Sequence, residues 1–330
     1  MSSNETPLGT SSKVIKLLKK NPFSISRYPD GSANELRYEL SKKFKININN
    51  VICGNGSDEI LSLFAHCFSG PGDEVIYSKH GFLMYPIAIK AAGSTPISVA
   101  EKNYKADVNN IIKKASKKTK ICYIANPNNP TGTYLSKKEL IKLRENLPKK
   151  CLLVIDSAYA EYVNEPDYTD GLDLAKKYNN IACTRTFSKI YGLAALRVGW
   201  AYSSKEIIEL MNRIRLPFNL NSVGQKAAIA AINDKNFINK AIKHNKKWKP
   251  FIEKKLNNLG LTIIPGVANF VLVKFKNTKQ ANNCYTYLES KGIYVRKINE
   301  YGLPQFLRIT VGLKNENITL CKTISKFISL

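Results

Sequence analysis

The residues best placed to do chemistry surround Lys189. A buried-strand pattern at Ile181–Thr184 runs straight into Arg185-Thr186-Phe187-Ser188-Lys189-Ile190-Tyr191-Gly192, and Arg197 follows eight residues after the lysine. A lysine just past a buried strand forms a Schiff base with a carbonyl when its surroundings are desolvated, because desolvation favours the neutral amine. Thr186, Ser188 and Arg197 supply the hydroxyls and the guanidinium fork that hold a dianionic phosphate. Taken alone, the same stretch also suits a surface turn with an ordinary lysine. Three further loops carry polar groups directly after strand patterns. Asn126-Pro127-Asn128-Asn129-Pro130-Thr131-Gly132 follows Ile121–Ala125, Asp156-Ser157-Ala158-Tyr159 follows Leu152–Ile155, and Gly54-Asn55-Gly56-Ser57-Asp58-Glu59 follows Val51–Cys53. The last of these opens a helical pattern at Ser57, so the Ser57 and Asp58 N–H groups would sit at a helix N-terminus, where unpaired donors and the helix dipole favour a phosphate.

The elements that must position these loops alternate. Helical patterns at Asn34–Phe44, Ser57–Phe68, Phe82–Ala92, Val108–Ala115 and Ser136–Asn146 are interleaved with strand patterns at Val51–Cys53, Glu74–Tyr77, Pro96–Val99, Ile121–Ala125, Leu152–Ile155 and Ile181–Thr184. Ser136 and Glu139 have capping-box spacing, with Leu135 and Leu140 placed as a hydrophobic staple. Such alternation predicts an α/β fold with a mostly parallel central sheet flanked by helices, and ligands at the carboxyl ends of its strands. Residues 221–259 read as helical and lysine-rich. Strands at Phe270–Phe275, Tyr294–Lys297 and Phe306–Val311, with helices at Lys279–Ser290 and Glu316–Ser329, predict a smaller α+β C-terminal domain. The expected division is an N-terminal segment 1–27 packing on the small domain or a partner subunit, a large domain 28–240 and a small domain 241–330.

Together these loops resemble the fold-type I pyridoxal-phosphate-dependent transferases, specifically their class II aminotransferases. The Ser188-Lys189 context with Gly192-Leu193-Ala194-Ala195-Leu196-Arg197-Val198-Gly199 is similar to that family's cofactor-lysine signature, and the Asn126–Gly132 loop to its Asn-Pro-x-Asn-Pro-Thr-Gly motif. The resemblance implies pyridoxal 5′-phosphate as cofactor and Lys189 as the catalytic residue. It places Gly56, Ser57, Asp58, Thr186, Ser188 and Arg197 at the phosphate, Asn129 and Tyr159 at the cofactor's phenolic oxygen, and Asp156 at the ring nitrogen. Ser2-Ser3-Asn4-Glu5-Thr6-Pro7-Leu8-Gly9, Arg27-Tyr28-Pro29-Asp30-Gly31, His80–Tyr85, Pro217–Asn221 and Leu307-Arg308-Ile309-Thr310-Val311-Gly312 narrow the resemblance, over essentially the whole chain, to histidinol-phosphate aminotransferases. That group's pattern implies that Tyr85 stacks on the cofactor ring, that Tyr28 reaches the phosphate of the other subunit's cofactor in a homodimer, and that Arg308, Arg296 and Asn4 bind substrate. The implied reaction is ping-pong amino transfer between glutamate/2-oxoglutarate and histidinol phosphate/imidazole-acetol phosphate. Aromatic amino-acid aminotransferases and phosphothreonine-type decarboxylases share the scaffold. The family usually carries a further segment ahead of Ser2, whose loss would weaken the dimer or remove part of a substrate lid, and has asparagine where Thr6 stands here.

Bulk properties bound the remaining classes. The chain of 330 residues carries a formal net charge of +26, which raises a basic nucleic-acid-binding regulator as an alternative. Its 42 lysines are scattered, however, and it has only nine arginines, the residue suited to bidentate phosphate and base contacts. The expectation is therefore no nucleic-acid partner. Apolar runs are too short for a membrane span and Met1–Thr10 lacks the apolar core of a signal peptide. Seven widely spaced cysteines in apolar segments, with no C-x-x-C, suit reduced thiols in a cytoplasmic protein and no metal site.

Overall fold

The computed structural model describes residues 1–20 and 26–330. Residues 21–25 of the expected N-terminal segment lie outside the described residues. Seven strands form the main sheet: β1 (Val51–Asn55), β2 (Glu74–Ser78), β3 (Thr95–Val99), β4 (Thr119–Ala125), β5 (Leu152–Asp156), β6 (Ile181–Thr186) and β7 (Val198–Tyr202), in the order β1-β7-β6-β5-β4-β2-β3. Strands β2 to β6 pair in parallel, and β7 runs antiparallel between β6 and β1.

Alternation along the strands feeds two cores. Cys122, Ile124, Leu153 and Ile155 face one side, against helices α2 (Asn34–Phe44), α5 (Val108–Lys114), α6 (Lys137–Asn146), α7 (Leu172–Lys177) and α9 (Ser222–Ile232). Ile121, Tyr123, Leu152 and Val154 face the other, against α3 (Ser57–Phe68), α4 (Met84–Ala91) and α8 (Lys205–Ile214). A sheet buried on both faces can be apolar at every position, which is why its strands read as continuous apolar runs. Helix α1 (Ser12–Lys20) buries Val14 in the first of these cores. The capping box at Ser136 forms as the spacing predicts.

Helix α10 (Lys235–Asn257) is continuous across the expected boundary near residue 240: Ala241 packs in the large core, whereas Trp248, Ile252 and Leu256 pack in a separate one. That second core covers an antiparallel sheet of β8 (Thr262–Ile264), β9 (Phe270–Lys274), β10 (Arg296–Lys297) and β11 (Phe306–Thr310), in the order β10-β11-β9-β8, together with α11 (Thr278–Ser290) and α12 (Lys314–Ile328). The first residues of the chain lie against this small sheet, where the Thr310 N–H donates to the Met1 carbonyl at 2.9 Å. All seven cysteines are free, and no described helix is long and apolar enough to cross a membrane.

Candidate active site

The carboxyl ends of β4, β5 and β6 and the N-terminus of α3 open into one cleft, lined by Ser57, Asp58, Asn129, Asp156, Tyr159, Thr186, Ser188, Lys189 and Arg197, with Phe82 beside them. These residues span 141 positions of sequence yet meet because parallel strands release their loops on the same edge of the sheet.

Asp156 ends β5 and is buried. The Tyr85 hydroxyl donates to its Oδ2 at 3.0 Å and the Thr184 hydroxyl to its Oδ1 at 3.0 Å. Burial still outweighs those bonds and pushes its carboxyl up to about 6. Lys189 is half-buried, and its Nζ donates to the Ser3 carbonyl at 2.9 Å and lies 5.9 Å from the centre of the Tyr159 ring. Desolvation, with the Arg308 charge in support, lowers its ammonium from 10.5 to about 8. Both shifts run against ionisation, so the cleft holds an acid and a base poised on either side of neutrality.

At the other end of the cleft the chain makes an anion cradle. Gly56, with φ of 85°, precedes α3, and the first-turn N–H groups of a helix have no partners within it. Arg197 crosses over the turn, its Nη1 donating to Ser188 Oγ at 3.2 Å and its Nη2 to Asp58 Oδ2 at 3.2 Å. The cradle depends on glycine: a Cβ at Gly199 would stand 2.3 Å from the Ser57 nitrogen, and one at Gly56 would stand 2.4 Å from Arg197 Nη2.

From β11 of the small sheet, buried Arg308 reaches the edge of the cleft at Asn129. It donates through Nη1 to Asn129 Oδ1 and through Nη2 to the Ser2 carbonyl, while its Nε is buried with no partner among the described residues. Asn4 sits in the left-handed region (φ 61°) with every polar group engaged. Its Nδ2 donates to the Tyr159 hydroxyl at 2.9 Å, its Oδ1 accepts from the Thr310 hydroxyl at 3.0 Å, and its carbonyl accepts from Asn269 Nδ2 at 3.0 Å. In its asparagine loop, Asn126 and Asn128 serve the backbone instead, Asn126 clamping Leu135 and Asn128 the His80 carbonyl.

Three expected positions lie outside the cleft lining. Tyr85, expected to stack on the cofactor ring, lies fully buried on the inner face of α4, with Ala88 and Ile89, stacks on Tyr123 at 4.9 Å and donates to Asp156. The aromatics that line the cleft are Tyr159 and Phe82, the latter ahead of α4 and closer to the end of β2. Arg296 pairs in register with Arg308, but it is exposed and ion-pairs with Glu300 at 3.3 Å, outside the cleft lining. Tyr28 is 82% exposed and stacks on Phe218 at 4.5 Å, away from this chain's own cleft.

The residues present fit pyridoxal phosphate. The turn at Gly56 and Gly199 leaves no space for a Cβ, Asp156 is a buried carboxylate with no ion-pair partner among the described residues, and Lys189 lines the same cleft as both.

The class I and II aminotransferase family model matches residues 1–324. The chain is 47% identical over 326 residues to a histidinol-phosphate aminotransferase of Pelagibacter ubique, covering 98% of this chain and 91% of that one. It is 43% identical over 330 residues to the histidinol-phosphate aminotransferase of Maricaulis maris, covering 99% and 91%. A histidinol-phosphate aminotransferase from Sinorhizobium meliloti, solved in complex with pyridoxal-5′-phosphate, superposes with a TM-score of 0.93 at 24% identity, over 99% of this chain and 90% of that one. In sequence along nearly its full length, and in fold, this chain belongs to the class I and II aminotransferases.

Proposed function

We propose that the chain is a pyridoxal-phosphate-dependent transaminase exchanging an amino group between glutamate/2-oxoglutarate and histidinol phosphate/imidazole-acetol phosphate. The observation that carries the chemistry is the convergence of Lys189, Asp156 and the α3 cradle on one cleft. The substrate follows from the relatives, four of which are 43–47% identical and bear the histidinol-phosphate aminotransferase name. Nothing in the cleft favours a decarboxylase or an aromatic-specific enzyme over them.

When bound, pyridoxal phosphate supplies an aldehyde for the lysine and a ring that accepts charge from the substrate's α-carbon. The Ser57 and Asp58 N–H groups, Thr186, Ser188 and Arg197 would hold its phosphate. Asp156 would pair with the ring nitrogen and, by favouring the protonated ring, strengthen that sink. Asn129 and Tyr159 would hydrogen-bond the phenolic oxygen. Lys189, with its ammonium at about 8, keeps a fraction of neutral amine at physiological pH and would act as the general base that takes the proton from the substrate's α-carbon. Arg308 takes the substrate's carboxylate or phosphate in a bidentate pair, exchanging the Ser2 carbonyl for an anion.

A cytoplasmic homodimer fits these roles. Exposed Tyr28, stacked on Phe218 with Leu216 nearby in sequence, forms an apolar edge suited to a second copy, and Tyr28 would there meet the partner's phosphate. Residues 28–240 and 241–330 act as large and small domains hinged within α10, and the scattered lysines serve no nucleic acid. The test supplies purified protein with pyridoxal phosphate, glutamate and imidazole-acetol phosphate and follows 2-oxoglutarate and histidinol phosphate. Formation of both in equal amounts is expected. Release of CO₂ without amino transfer, or transfer to phenylpyruvate alone, refutes the assignment.

A further inference from the structure

Behind the cleft lies a charged cluster that the reaction as described does not use. Thr184 points at Asp156 and Thr186 lines the cleft, so Arg185, between them on β6, projects from the opposite face of the sheet. It is 4% exposed and packs beside the adjacent Phe44 and Trp200 rings, with its guanidinium 5.2 and 5.9 Å from their centres. Its Nη2 ion-pairs with Glu161 Oε1 at 2.7 Å and its Nη1 with Asp170 Oδ2 at 2.5 Å. Glu161 also engages the hydroxyl of buried Tyr191, whose pKa its charge helps to raise.

The sequence positions of these groups give the cluster its meaning. Glu161 lies two residues after Tyr159, in the short turn Ala160–Tyr162. Tyr191 lies two residues after Lys189, in the loop that closes with the Gly192 N–H donating to the Lys189 carbonyl at 3.1 Å. Arg185 is fixed to the strand that ends at Thr186. One carboxylate therefore ties the turn bearing Tyr159 and the loop bearing Lys189 to the same rigid strand. Asp170 braces the arrangement, its carbonyl accepting from the Ser157 hydroxyl at 2.8 Å.

We propose that Glu161, held by Arg185, is a positioning residue for the reaction: it clamps the Tyr159 turn to the Lys189 loop and so sets where the reacting amine stands in the cleft. A buried charged pair is poor evidence for stability. Here it spans the two loops whose relative position decides the chemistry, and a displacement of about 1 Å there costs a large factor in rate. The proposal rests on the transaminase reading for its kinetic consequence, not for its geometry.

Glu161→Gln keeps the size of the side chain and an acceptor oxygen for Arg185, whose charge Asp170 still pairs. Tyr191→Phe leaves both ion pairs of Arg185 intact and removes only the hydroxyl by which Glu161 holds the Lys189 loop. Each is made in the full chain. The first readout uses cofactor-stripped protein: the pH dependence of Lys189 acylation by a small amine-selective reagent, followed by peptide mass spectrometry. The half-point is expected to rise by about one pH unit as the loosened loop lets water reach the amine. The second is turnover, with kcat falling about ten-fold and KM for glutamate nearly unchanged. An unchanged half-point in both variants overturns the proposal, including when activity and melting temperature fall together, since that pattern marks a merely structural pair. If wild-type protein fails to transaminate while the half-point still moves, the functional assignment falls and the clamp stands.

Discussion

Replacing Lys189 with methionine is expected to make the cofactor-free protein more stable at neutral pH while abolishing turnover. The folded site holds the Lys189 ammonium at about 8 against an ordinary 10.5, chiefly by desolvation. A depressed folded-state pKa contributes stability that is present above 10.5 and is lost as pH falls through about 8, because the unfolded chain then binds the proton more readily. At pH 7 nearly the whole gap acts, about 3 kcal/mol; at pH 9.5 about 1 kcal/mol remains. Methionine forfeits the bond from Nζ to the Ser3 carbonyl, worth about 1 kcal/mol, and partial solvent contact trims the rest. The net gain is then about 2 kcal/mol at pH 7 and close to zero at pH 9.5. Calorimetric melting of stripped wild-type and variant protein at the two pH values reads this directly. An equal gain at both, or a loss at pH 7, refutes the idea that the site stores its reactivity as a protonation penalty.

Three further outcomes follow from the same geometry. Asp156→Asn keeps the size of the side chain but cannot favour a protonated ring nitrogen; turnover should drop at least about 100-fold with the cofactor still bound, as seen by absorbance after gel filtration. Arg308→Lys loses the fork while keeping the charge, and kcat/KM for glutamate should fall by about two orders of magnitude in steady-state assays, an unchanged value removing Arg308 from the substrate site. Gly199→Ala drives a Cβ against the Ser57 nitrogen. It should weaken pyridoxal phosphate binding at least about ten-fold by equilibrium titration, with a stability loss of about 1–3 kcal/mol.

The site was legible where chemistry is local in sequence. Lys189, Asp156, Asn129 and the Gly56–Asp58 turn each follow a strand within a few residues, so strand recognition alone carried them to one edge of the sheet. What the sequence left open needed a third dimension. Tyr85 is expected at the cofactor ring, yet Ala88 and Ile89, three and four residues on, mark its face of α4 as a core face, and it is Phe82, ahead of that helix, that lines the cleft. Strand β7 lay hidden inside the signature loop because it runs against its neighbours and follows Arg197 without a turn signal. The Asn4 bonds to Tyr159 and Thr310 close gaps of 155 and 306 residues, which no local pattern encodes. Arg296 matches a motif, but its register on an edge strand leaves it turned to Glu300.

The first residues of the chain give ligand binding a rival. Ser2 and Ser3 offer main-chain carbonyls to Arg308 and Lys189, and Asn4 bridges Tyr159 to Thr310. A ligand anion seeking Arg308 meets a donor already engaged, so association is an exchange between two acceptors. Measured affinity is then the intrinsic value scaled by the fraction of molecules whose amino-terminal segment has lifted. Residues outside the cleft lining, Thr310 and Asn269 among them, thereby help set the concentration at which the cleft fills.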